Sequence, residues 1–177
     1  MSHAYANTRI ANLLGALAMG LTDRVRHEIE QLFPHGPSAP AALVALSGTG
    51  AGRSIEALRS TVGLTHSGAV RLVDRLAEGG LVERRAAVDQ RSTALYLTPA
   101  GRRAVRRILA HREAVLEGVL APMTTEEREL LARTCERLLG RIPTDPEYQV
   151  WVCRLCDREA CGRGRGWCPV ERVERRG

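Results

Sequence analysis

Between Ser54 and Gly101 the chain is punctuated so closely that few folds can hold it. Ser54 can cap a short helix over 54–61, with Ile55 and Leu58 facing inward, and Gly63 supplies a tight turn. Thr65 caps a helix over 66–78 in which Ala69, Val70, Val73 and Leu76 fall on one face, leaving Arg71 and Arg75 to point outward. Gly79-Gly80 ends it. The strand-like runs Leu81-Val82-Glu83-Arg84 and Ala94-Leu95-Tyr96-Leu97 flank a polar segment centred on Asp89-Gln90-Arg91, which predicts a β-hairpin, or wing.

The flanks read as helices. Ile10, Leu13, Leu14, Leu17, Leu21, Val25, Ile29 and Leu32 recur at helical spacing within 5–33, and Pro34, Gly36 and Pro37 stop the run. Ser38 can cap a second helix with Leu43, Val44 and Leu46 inside, followed by a loop over 47–52. Thr98-Pro99 opens another as N-cap and N1, running to about 121 through Val105, Ile108, Leu109, Val115, Leu116 and Val119. Thr124 or Thr125 caps a last helix bearing Leu130, Leu131, Leu138 and Leu139 and ending near Gly140. Aromatic residues are 3% of the chain, so the core must come from Leu, Val, Ala and Ile, which favours helices. The fold class that follows is mainly α with a small β-hairpin wing.

Charge points to a partner. All 26 basic residues are arginine, and the formal charge is +6. Nine arginines fall within 65–107 against Asp74, Glu78, Glu83 and Asp89, a concentration that suits a polyanion. No apolar run approaches the roughly 18 residues of a membrane span, and no signal-peptide pattern opens the chain, so a cytoplasmic protein with no membrane partner is expected.

A helix followed by a tight turn, a second helix and a hairpin has a physical use on double-stranded DNA. The second helix fits the major groove, the first braces it across the backbone, and the hairpin carries an arginine to neighbouring phosphates or the minor groove. The candidate contacts are Ser54, the groove-facing turn Thr65, His66, Ser67 and Gly68, then Arg71, Arg75, Arg84, Asp89 and Arg91. Gly63-Leu64-Thr65 through Arg75-Leu76, then Gly80-Leu81-Val82-Glu83-Arg84, Asp89-Gln90-Arg91 and Leu95-Tyr96-Leu97-Thr98-Pro99-Ala100-Gly101, resembles the MarR family of bacterial transcription regulators. The match covers three motifs in order, and residues 5–140 fit that family's helical plan; Gln90 and Ser92 stand beside Arg91 where many members carry a second arginine.

The resemblance implies a winged helix-turn-helix plus a helical dimerisation domain. Residues 1–36 and 99–142 would form the dimerisation domain, 37–98 the DNA-binding domain, and 143–177 a Cys-rich tail. It implies a homodimer, a repressor in the first instance, on a pseudo-palindromic operator. It also leaves room for a small-molecule effector in a cleft between the dimer and reader domains. No catalytic constellation is present, so the chain is not expected to be an enzyme. An iron–sulfur or zinc protein with an enzymatic or electron-carrier role is the alternative from another class.

The tail carries Cys153-x2-Cys156-x4-Cys161-x6-Cys168-Pro169. Four thiols within sixteen residues can wrap one metal centre per subunit, with Gly162, Gly164 and Gly166 folding the loop and Arg154, Arg158, Arg163 and Arg165 offsetting thiolate charge. Only the first pair is close, unlike most four-cysteine zinc sites. The closing Cys-Pro is common to iron–sulfur loops, and the tail loosely resembles that of SoxR, a redox regulator of another helix-turn-helix family. An iron–sulfur cluster is therefore preferred to Zn(II). Cys135, in the last helix beside leucines, reads as a buried inert thiol. His27, His35 and His111 have no mutual metal-ligand spacing, and Gly48-x-Gly50-x-Gly52 follows a helix rather than the strand a dinucleotide loop needs.

Overall fold

The structure, a computed structural model, describes residues 3–48, 52–86, 93–142, 145–163 and 165–171, with the side chains of 3–6, 146 and 147 outside the description. In chain order the elements are α1 (His3–Leu32), α2 (Ala39–Ser47), α3 (Ile55–Val62), α4 (His66–Glu78), β1 (Val82–Ala86), β2 (Thr93–Leu97), α5 (Pro99–Leu120), α6 (Thr125–Leu139) and α7 (Pro146–Val152). The expected helices and hairpin form within a residue or two of their sequence bounds. Asp89, Gln90 and Arg91 lie outside the described residues.

One core joins the reader to the long helices. Leu43 of α2, Leu58 of α3, Leu72 and Leu76 of α4, and Leu95 of β2 are almost completely buried, together with Val105 and Ile108 of α5 and Ile29 of α1. At such sites a Leu→Ala change costs about 2–5 kcal/mol. β1 and β2 pair antiparallel from Val82↔Leu97 to Ala86↔Thr93. Arg53 adds a third, one-residue rung: its N–H donates to the Leu95 carbonyl at 3.2 Å and its carbonyl accepts from Leu95 N–H at 2.8 Å. The hairpin root is thus tied to the residue that enters α3.

Three differences from the sequence reading have local causes. Ser38 makes no side-chain cap bond: its backbone is already helical (φ −89°, ψ −10°), and Pro40 at the second helical position has no N–H to offer. The stretch marked by Pro143 and Pro146 holds a further helix, α7, whose N-cap Asp145 accepts from Tyr148 N–H at 2.8 Å. Cys135 is exposed, not buried. It lies on α6, which has no buried residue at all and is held by a full capping box at Thr124 and Glu127. Arg128 ties α6 back to α5 through Glu117 at 3.1 Å and the Leu120 carbonyl at 2.9 Å.

Candidate functional site: the helix-turn-helix and the cysteine loop

The helix-turn-helix is built by caps and one glycine turn. Ser54 Oγ accepts from Ala57 N–H at 3.1 Å, and Thr65 Oγ1 accepts from Gly68 N–H at 3.1 Å, so both residues start helices. Gly63 joins α3 to α4 in the left-handed region (φ +64°), its N–H returning to the Arg59 carbonyl. A side chain there would be strained by φ alone. It would also collide, because a Cβ would sit 2.7 Å from Trp151 Cζ3.

The first turn of α4 is open to solvent: Thr65, His66 and Ser67 are exposed and Gly68 half-buried. Arg71 and Arg75 continue that exposed face and enter no ion pair among the described residues. His66 Nδ1 stands 3.6 Å from Glu56 Oε2. Glu56 accepts from Arg59 Nε at 2.7 Å, and that bond, then the charges of Arg59 and His66, hold its carboxyl below the usual range. Arg84, expected among the DNA contacts, pairs with Asp74 of α4 at 2.6 Å and so fastens β1 to the second helix. Arg85 beside it lies 5.0 Å from the Tyr96 ring and pairs with Glu83. Arg102, from the basic run that opens α5, donates to the Leu97 carbonyl at 2.8 Å.

The four tail cysteines come together. Cys153 and Cys168 are buried with Val170, and Cys156, Cys161 and Leu139 of α6 pack against them. Burial raises the Cys153 thiol, reinforced by Cys156 and opposed by Arg163. Cys161 is pushed up to about 12, first by burial, then by Cys156 and by hydrogen bonds shared with Cys168 and Cys156. Among the described residues no group of three or more His, Cys, Asp or Glu side chains is placed to hold a metal ion; the four cysteines are free thiols packed in one cluster, and Cys156 Sγ donates to the Asp157 carbonyl at 3.6 Å.

Sequence reasoning treated this loop as an appendage, and the structure docks it on the helix-turn-helix. α7 packs on α3, Leu155 joins the main core, and Arg158 Nη1 reaches the Gly48 carbonyl at 3.4 Å. Arg53, whose Nη1 donates to the buried Thr61 at 3.2 Å, meets Arg158 and Arg163 there. Burial, and then the neighbouring guanidiniums, lower both Arg53 and Arg158, while Cys153 and Cys156 act in the opposite sense on Arg158. The Asp145-Pro146 pair was the signal for α7; nothing local announces where α7 packs. A cleft of about 460 Å³ opens between α1, α5 and the loop, lined by Leu21, Val25, Arg26, Arg112, Val152 and Leu155 among others. No helix among the described residues is long and apolar enough to cross a membrane.

Comparison with known proteins agrees with this architecture. Residues 36–92 match the model of the MarR family, whose proteins are transcription regulators rather than enzymes. The chain is similar to a MarR-family transcriptional regulator from Silicibacter pomeroyi (28% identity, 73% of this chain and 90% of that one, TM-score 0.57). It is also similar to a MarR family protein from Bacillus stearothermophilus (26%, 78% and 96%, TM-score 0.67). YusO from Bacillus subtilis shares the fold (22%, 80% and 99%, TM-score 0.67). No curated protein matches the chain in sequence. The chain therefore has a winged helix-turn-helix fold like that of the MarR-family structures, and its residues 36–92 match that family's model.

Proposed function

We propose that the chain is a sequence-specific DNA-binding transcription regulator, acting as a homodimer and as a repressor in the first instance. The observation that carries this reading is the open first turn of α4, Thr65 to Gly68, continued by the exposed Arg71 and Arg75. A helix end with small polar side chains and no covering element is free to enter a major groove, and the arginines behind it can reach bases or phosphates. The dimer reading is supported by apolar residues left in water: Ile10, Leu13, Leu14 and Leu17 on α1, and Leu130 and Leu138 on α6. The cleft beside α1 and α5 has room for a small effector, and its arginines suit an anionic one.

The cysteine loop is read as one thiolate metal centre, iron–sulfur before zinc. The donor set fits a thiophilic cation: four soft sulfurs on one loop, two of them buried, already in contact and faced by arginines. Such a centre would supply redox or metal sensing. Cys153, Cys156, Cys161 and Cys168 would bind it after losing their protons.

Binding to a duplex selected from a random pool tests the regulator reading. Affinity is expected to fall steeply with salt, by about 10³–10⁵ between 50 and 200 mM if 6–10 phosphates are contacted. A flat salt response would reject it. Anaerobic purification with metal, sulfide and visible absorption measurements tests the centre: a brown protein is iron–sulfur, and a colourless one with bound metal is zinc.

A further inference from the structure

We propose that the cysteine loop is a brace between α6 and the helix-turn-helix, and that ligation of the loop resets the angle of the reader through Trp151 and Arg158. The proposal rests on the metal-centre and DNA-reader readings above and deepens them, by assigning how the one acts on the other.

The loop touches both parts of the molecule. On one side Cys153, Cys168 and Val170 pack with Leu139, near the end of α6. On the other side the Trp151 ring stands against Gly63, the residue that sets the turn between α3 and α4. Leu155 is seated in the main core, and Arg158 reaches the C-cap of α2 at Gly48. Cys153 is the C-cap of the short helix that carries Trp151, and its N–H donates to the Gln149 carbonyl at 3.2 Å. A pull on the Cys153 sulfur is therefore a pull on the ring that rests on the turn.

Packed interiors do not absorb such displacements smoothly. The Trp151 ring leaves no space at Gly63 for even one methyl group, so the ring and the turn must move together or separate. Arg154 lies 4.0 Å over the same ring and donates to the Trp151 carbonyl at 2.8 Å, fixing the indole within α7. Gathering four sulfurs round a cation requires them to turn from their present packing, and Cys153, the C-cap of α7, is joined directly to the helix whose Trp151 rests on the turn.

The test uses the full chain and a labelled duplex selected by the wild-type protein. Each protein is loaded with Zn(II), or with iron and sulfide anaerobically, and compared with its chelator-stripped form. For wild type, loading should change duplex affinity about tenfold, within the roughly 5–150-fold usual for coupled sites. Trp151→Ala should keep its full metal content yet respond less than about twofold, whereas Trp151→Phe should restore the response. Arg158→Ala should give an intermediate response. A Trp151→Ala protein that binds metal and responds like wild type overturns the brace. So does a wild-type protein that binds both metal and duplex with no change in affinity.

If Trp151→Ala does not fold, hydrogen exchange at residues 58–68 of the wild type decides, with a difference between loaded and stripped protein expected and its absence fatal. A chain that takes up neither metal overturns the centre and the brace with it. A chain that takes up metal but no duplex overturns only the DNA reading, and the exchange at 58–68 still decides the brace.

Discussion

A Cβ at Gly101 would collide with the Leu81 carbonyl oxygen and lie 3.1 Å from Leu97 Cδ2, against backbone on one side and core on the other. Thr98, three residues earlier, accepts from Gly101 N–H at 3.0 Å and donates to the Gly80 carbonyl at 2.6 Å. The threonine-x-x-glycine pattern therefore locks the start of α5 to the end of α4, and it is a packing device. Gly101→Ala should destabilise the chain by about 1–3 kcal/mol through overpacking, read as a shift in the urea midpoint. Arg71 belongs to the opposite class, since it is exposed and enters no ion pair among the described residues. Arg71→Ala should leave thermal unfolding unchanged and weaken the selected duplex by about 1–3 kcal/mol, the worth of one good base contact. Equal affinity in the variant would remove Arg71 from the reader.

The wing and α4 are joined by the exposed pair Arg84–Asp74. An exposed pair contributes about 0–1 kcal/mol to stability, so its value lies in fixing the wing's angle. Asp74→Ala is expected to lower duplex affinity as much as Arg84→Ala does; a loss confined to Arg84→Ala would make that arginine a DNA contact in its own right. Elements of this kind were legible in the sequence wherever the signal is local. Thr65, Thr98 and Thr124 as caps, and Gly63 as a turn, need only their neighbours to act. The pairing of Arg84 with Asp74, and of Trp151 with Gly63, depends on tertiary packing that no spacing encodes. Cys135 was misread for a related reason: leucines beside a thiol announce an apolar face, and do not say whether its own chain or another copy covers it.

At the scale of the whole molecule, α1 and α6 carry their apolar stripes outward, with Ile10 61% and Leu130 60% exposed. Isolated helices no longer than about 12–15 residues are marginal in water, and among the described residues α6 is packed at Leu139 and tied through Arg128 but has no buried residue, so its outward stripe needs further cover. Leu130→Glu should convert a two-chain species to a single chain in sedimentation, leave the reader's core folded, and abolish high-affinity duplex binding. A variant that still sediments as a pair would place the interface elsewhere. If two chains pair as proposed, pairing is a second-order event, and its yield follows mass action. Well below the pairing constant, doubling the number of chains in a cell would quadruple the number of pairs. On the regulator reading proposed above, the output of a promoter bound by the pair would then answer to the supply of the protein more steeply than in proportion.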